Sequence, residues 1–145
     1  MSETNSKEPE SWLYTARYRN PTIPTRGVVP VRITLGAPRF PLGYAIADTV
    51  GQLAPPGYLF HIQNRVEFEP RYREHLDRIG VDWVRARLQG IHEAHGGRPL
   101  ALLCFEYVAD GEWCHRLCFA QWWFDRAGER VSELPETDAT PTRLF

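Results

Sequence analysis

The residues able to do chemistry concentrate in one short stretch. CFEYVADGEWCHRLC, from Cys104 to Cys118, holds all three cysteines of the chain together with Glu106, His115 and Arg116. A thiolate is a nucleophile and a metal ligand, and its formation is favoured at a helix N-terminus, where unpaired N–H groups and the helix dipole attract negative charge. The order of residues places Cys114 at such a mouth. His115 is then a base or an ion-pair partner for the thiolate, Arg116 a bidentate clamp for an anionic substrate, and Glu106 a general acid or base. Cys104 ends an apolar run two residues before Glu106, so in a strand the two side chains share a face. Cys118, among Leu117, Phe119 and Ala120, reads as a small hydrophobe of the core.

Zinc is the competing reading, because Cys104, Cys114, Cys118 and His115 are the right donor types. Spacing argues against it: structural sites use close Cys-x-x-Cys or His-x-x-x-His knuckles, whereas adjacent Cys114 and His115 at a helix end are expected to point in different directions. The sequence therefore predicts no metal and no cofactor. His92 and His95 share a helix face but have no third donor, and they read as solvated.

Arginine supplies a second signal. Between Ser11 and Ala47 stand Arg17, Arg19, Arg26, Arg32 and Arg39 with no acidic residue, a local positive field in a chain whose net charge is only -1. Either these arginines are solvated and balanced elsewhere, or Arg17, Arg32 and Arg39 join Arg116 around a small anionic ligand or nucleotide. Trp12, Tyr14 and Tyr18 beside Arg17 and Arg19 also suit stacking on single-stranded nucleic acid, although a half-buried strand explains the same alternation. Trp122, Trp123 and Phe124 cannot all face one core, which leaves a partly exposed aromatic patch, or else cover from the carboxyl tail or the Trp83 helix.

The elements that must position these groups follow from periodicity. LYTARYR and VVPVRITLG read as strands, and PLALLCFEYV as a fully buried one. YLFHI is a third short strand candidate. YAIADTVGQLA carries Ile46, Val50 and Leu53 at helical spacing and stops at Pro55-Pro56-Gly57. EPRYREHLDRIG, with Pro70 in its first turn, WVRARLQGIHEAHGG and HRLCFAQWWFDRAG read as helices closed by glycines. The alternation predicts a single three-layer α/β domain, a largely parallel sheet flanked by helices, in which ligands bind beyond the carboxyl ends of the strands. Residues 1–10 are expected to be a disordered tail, 11–132 the domain and 133–145 a flexible tail.

At 145 residues the chain suits one domain. No apolar run spans a membrane, and the polar start is neither a signal nor a transit peptide, so a cytoplasmic location with reduced thiols is expected. No Walker loop, Rossmann fingerprint, nucleophile elbow or His-Glu-x-x-His is present, which gives no basis for nucleotide hydrolysis, hydride transfer or serine hydrolysis.

The run LLCFE, a short loop and WCHR opening a helix resemble the signature of the domain of unknown function family 488. The likeness extends to the LYT strand and to VPVRITLGAPRF. It implies a small α/β fold with Cys104, Glu106, Cys114, His115 and Arg116 in one pocket, and it matches Arg32 and Arg39 to an arginine-bearing strand and loop. Where many members carry Gly-His or Gly-Tyr after the first-strand tyrosine, this chain has Thr15-Ala16-Arg17. No activity comes with the resemblance. Three functions remain open from the residues: a thiol-dependent enzyme or sensor centred on Cys114, a non-catalytic module binding a nucleotide or nucleic acid with the same arginines, and a small partner-binding protein working through the aromatic end of its last helix.

Overall fold

The computed structural model describes residues 11–106 and 114–137. Among the described residues five strands form one sheet: β1 (Leu13–Arg17), β2 (Val29–Arg32), β3 (Asp48–Thr49), β4 (Leu100–Cys104) and β5 (Ser132–Glu133). Their order is β3-β2-β4-β1-β5, and every neighbouring pair is parallel. The central strand β4 is buried at all its positions, as a strand covered on both faces must be. Its partners are in register with it, Leu13 and Val29 both opposite Leu100, and Arg17 opposite Cys104.

One face of the sheet carries the helices α1 (Arg65–Ile79), α2 (Val81–Ala94) and α3 (His115–Ala127). Phe68, Tyr72 and Leu76 of α1, Val84, Leu88 and Ile91 of α2, and Phe119, Trp122 and Trp123 of α3 pack there on Leu13, Val31, Leu100 and Leu102. The opposite face is covered by irregular chain instead: Tyr18, Ile23, Phe40, Leu42, Tyr44 and Ile46 pack on Ala16, Ala101 and Leu103. The domain therefore has the three-layer α/β form expected, with its third layer built from loops and a 3-10 turn at Ile23–Thr25.

Asn64 caps α1 by accepting from the Val66 N–H at 2.7 Å, so the helix begins five residues before Pro70 and the proline lies in its second turn. Gly80, at φ 95°, joins α1 directly to α2, a conformation that a residue with Cβ rarely adopts. Gly128, at φ 74°, ends α3.

Three expectations are corrected. The 44–54 segment is not a helix: Asp48–Thr49 adds a strand to the edge of β2, Val50 donates to the Arg32 carbonyl at 2.9 Å, and a 3-10 turn follows. Pairing with the free edge of β2 outweighs a helical stripe interrupted by Gly51. YLFHI is likewise a 3-10 turn, with Tyr58 and Phe60 exposed. Residues 133–137 are not tail, since Ser132–Glu133 pairs with β1, and Glu136 holds Arg17 with both contacts at 2.8 Å. Residues 1–10 and 138–145, assigned to tails from sequence, lie outside the described residues. Among the described residues no helix is long and apolar enough to cross a membrane.

The aromatic end of α3 is interior: Trp122 and Trp123 have no exposed surface, and their ring N–H groups donate to Asp77 and Glu129. Only Phe124 reaches solvent, under the Arg130 guanidinium.

The two carboxyl-terminal ion pairs should differ sharply in worth. Arg116 is fully buried and held by Glu133, whereas Arg17 and Glu136 each keep about a quarter of their side-chain surface. Glu133→Ala is expected to cost about 3–5 kcal/mol, because it strands a buried cation, and Glu136→Ala less than about 1 kcal/mol. Urea unfolding of both variants measures the difference.

Candidate thiol and metal site

Chain direction creates the site. After β2 the chain turns onto the loop-covered face and reaches β3, whereas after β4 it enters α3 on the helical face. Adjacent strands whose continuations part in this way leave a crevice at their carboxyl ends. A cavity of about 480 Å³ lies there, lined by Thr34, Leu35 and Gly36 after β2, Phe105 and Glu106 after β4, and Cys114 and His115 at the start of α3. Its outer wall is mostly apolar and comes from Pro55, Leu59, Phe60, Ile62 and Phe68.

Cys104, the last residue of β4, and Cys114, the N-cap of α3, meet sulfur to sulfur as a disulfide. Their positions are unequal. Cys114 lines the cavity, while Cys104 is fully buried behind it. Arg116 Nη1 donates to Cys104 Sγ at 3.1 Å, and the rest of that guanidinium is gripped by Glu133, Nε to Oε1 at 2.9 Å and Nη2 to Oε2 at 2.7 Å. Thr15 Oγ1 adds a bond to Glu133 at 2.7 Å. A buried cation touching Cys104 favours the thiolate of that residue whenever the pair is reduced.

His115 turns Nε2 to the Ile33 carbonyl at 2.9 Å and Nδ1 toward Cys114 Sγ at 3.8 Å. A carbonyl only accepts, so Nε2 carries the proton and Nδ1 presents a lone pair to the sulfur. Tyr72 meets the ring edge-on at 5.7 Å. Burial, with the positive charge of Arg116 in support, holds the imidazole pKa down to about 4 despite the Ile33 bond. Such a group is a poor proton store near neutral pH, so His115 acts as an acceptor and donor atom more than as a base. Glu106, exposed at the cavity wall with Oε1 3.9 Å from Cys104 Sγ, is the better-placed carboxylate.

Cys104, Glu106, Cys114 and His115 thus come together as anticipated. The expectation that Cys114 and His115 point apart is not met: the donor atoms of Cys104, Cys114 and His115 lie within 4.8 Å of one another, a buried cluster with the donor set of a thiol or metal site. Cys118 is absent from that cluster and sits in the core, where burial pushes its thiol up to about 11.

The arginines do not converge on the cavity. Arg116 and Arg17 are engaged by Glu133 and Glu136, Arg32 donates to the carbonyls of Thr34 and Leu35, and Arg39 is exposed away from the lining. A stacking surface at β1 is not formed either, since Tyr18 is buried with its hydroxyl 2.6 Å from that of Thr34, and Arg19 lies over Phe40. His92 bonds the Arg98 carbonyl and packs on Trp12, a structural role. Residues 107–113, the short loop between the LLCFE and WCHR runs together with Trp113, lie outside the described residues.

Sequence reasoning missed Glu133, the Ile33 carbonyl and the apolar wall from 55–68. The alternation of VSEL after α3 was the available sign of a further strand carrying Glu133. No family model, curated protein or solved structure matches the chain.

The depressed His115 pKa has a signed consequence for stability. Between the ordinary 6.5 and about 4 the unfolded chain binds a proton that the folded one does not, so stability falls as pH falls through that window. The expected loss is up to about 3 kcal/mol. His115→Gln, which keeps a donor for Ile33 but no titrating ring, should lose correspondingly less between pH 7 and pH 4 in urea denaturation.

Proposed function

We propose that this protein is a thiol-dependent enzyme or sensor in which Cys114 and Cys104 exchange electrons with a small, largely apolar sulfur compound bound in the cavity. The observation that carries this reading is the asymmetric pair: a sulfur at the cavity wall joined to a second, fully buried sulfur that Arg116 holds from the interior and Glu106 approaches from the cavity side. That is the arrangement of an attacking and a resolving thiol. The likeness of the LLCFE and WCHR runs to family 488 agrees with a shared pocket and adds no reaction.

In the reduced protein the Cys114 thiolate, favoured by the start of α3, attacks one sulfur of a bound disulfide. A Cys114–substrate bond forms as the substrate S–S bond breaks, and the first thiolate leaves to take up a proton. The Cys104 thiolate, held by Arg116, then attacks Cys114 Sγ and releases the second product thiolate, which also takes a proton. Glu106 accepts the proton given up by Cys104. The protein loses two electrons and ends as the Cys104–Cys114 disulfide, and the substrate is reduced to two thiols, so no further reactant is required. The mainly apolar wall favours an uncharged ligand over a nucleotide, because no arginine among the described residues lines the cavity.

Pre-reduced protein mixed with an uncharged dipyridyl disulfide should release both pyridine thiols per protein and recover the Cys104–Cys114 disulfide. Cys114→Ser is expected to slow the reaction by about a hundredfold or more, with Cys118→Ser unchanged. Undiminished rate in folded Cys114→Ser overturns the proposal. Iodoacetamide labelling read by peptide mass spectrometry should rank Cys114 first and Cys118 last, with the apparent pKa of Cys114 below the ~8.5 of a free thiol.

A further inference from the structure

We infer that the reduced protein binds a zinc-class divalent metal through Cys104 Sγ, Cys114 Sγ and His115 Nδ1, with one coordination position facing the cavity. The inference rests on the thiol reading in one respect: the pair must be reducible in the folded protein.

Geometry carries it first. Ligand atoms on a tetrahedral zinc, with Zn–S and Zn–N bonds near 2.3 and 2.0 Å, stand about 3.5–3.8 Å from one another. Cys114 Sγ and His115 Nδ1 are 3.8 Å apart, and all three donor atoms fall within 4.8 Å. The Cα atoms of Cys104 and Cys114 are 7.4 Å apart, beyond the usual disulfide range of about 4.4–6.8 Å, so the sulfurs have room to part around an ion once their bond is reduced.

The surroundings are those that a metal site needs. A ligating histidine ordinarily donates its other N–H to a fixed acceptor, and His115 Nε2 does so to Ile33, which selects the tautomer with Nδ1 free. Arg116 donates to Cys104 Sγ from outside the cluster, the role of an outer-shell partner that holds a thiolate. Charge also balances. Two thiolates neutralise a divalent ion, the imidazole is neutral, and Arg116 is cancelled by Glu133, so no net charge is buried. Two sulfurs and an imidazole suit zinc better than magnesium or calcium, which take oxygen ligands.

Three protein ligands and an open fourth position mark a zinc site that works on a ligand, whereas a structural one is closed by four. Cys114 and His115 both line the cavity, so the open position faces the space a small molecule would enter. Glu106 stands on the same wall, ready to accept a proton from a water there. Binding exchanges two thiol protons for the ion, and oxidation to the disulfide removes both sulfur ligands at once. Metal occupancy thereby follows the redox state of the pair.

The test is cobalt titration of the full chain, reduced by a phosphine without oxygen. The expected result is a sulfur-to-cobalt charge-transfer band that saturates at one equivalent and is displaced by Zn2+. The band should weaken to roughly half in Cys114→Ser, which removes one of the two thiolate ligands. Affinity should fall at least about tenfold in His115→Gln, and Cys118→Ser should change nothing. If Cys114→Ser does not fold by circular dichroism, His115→Gln with the Cys118→Ser control decides. Absence of the band in protein whose two thiols titrate freely overturns the metal site and leaves thiol exchange standing. So does a band that keeps its full intensity in Cys114→Ser and its full affinity in His115→Gln. A pair that stays oxidised until the chain is unfolded overturns thiol exchange, and this inference with it.

Discussion

A guanidinium with no exposed surface is the constraint on which the rest of this structure depends. Arg116 projects from the first turn of α3 into the interior, where an unpaired cation costs several kcal/mol, so neighbouring elements must supply acceptors. Glu133 of β5 takes one edge of it in two bonds, and Cys104 of β4 takes the remaining nitrogen. Thr15 of β1 is bonded to the same carboxylate. One side chain therefore fixes the start of a helix against three strands. That start also carries Cys114 and His115, so the geometry of the sulfurs and the imidazole is a consequence of where the arginine must point.

The same pairing explains why the site has two chemically different sulfurs. Cys104 is at the end of the most buried strand and touches a cation, whereas Cys114 belongs to a helix mouth at the cavity. Two thiols in equal environments would compete for the same role. Here the arginine and the helix end separate them, and His115 is held neutral between the sulfur and a backbone carbonyl. Among the described residues, the cavity complements this centre with apolar surface on one side and a single carboxylate, Glu106, on the other.

Much of this was legible in the residues. Continuous apolar character marked β4, alternation marked β1, and stripes ended by glycine marked α1, α2 and α3, because each pattern reports local burial on one face. The gathering of Cys104, Glu106, Cys114 and His115 followed from those elements. What failed depended on distant partners. Asp48–Thr49 is a strand because β2 offers an open edge, and no periodicity within 44–54 announces that. The arginines looked like a field for a ligand, yet Arg17 and Arg116 are answered by Glu136 and Glu133, more than a hundred positions from Arg17 in one case and across a glycine-ended helix in the other. The direction of Cys114 and His115 was misjudged because an N-cap residue is extended, at φ -148° and ψ 156°, and does not follow helical side-chain spacing.

The pairing of β1 with β5 joins residues far apart in the chain: Thr15 and Glu133 are 118 positions distant. During synthesis, β1 and β4 can align as soon as residue 104 is available, but α3 cannot bring Arg116 inward until Glu133 has followed it out of the ribosome. Closure of so long a loop is slow, and a nascent chain halted before that residue holds the sheet without its lock. Cells that make this protein therefore produce its cysteine pair before they produce the strand whose carboxylate fixes Arg116 against Cys104.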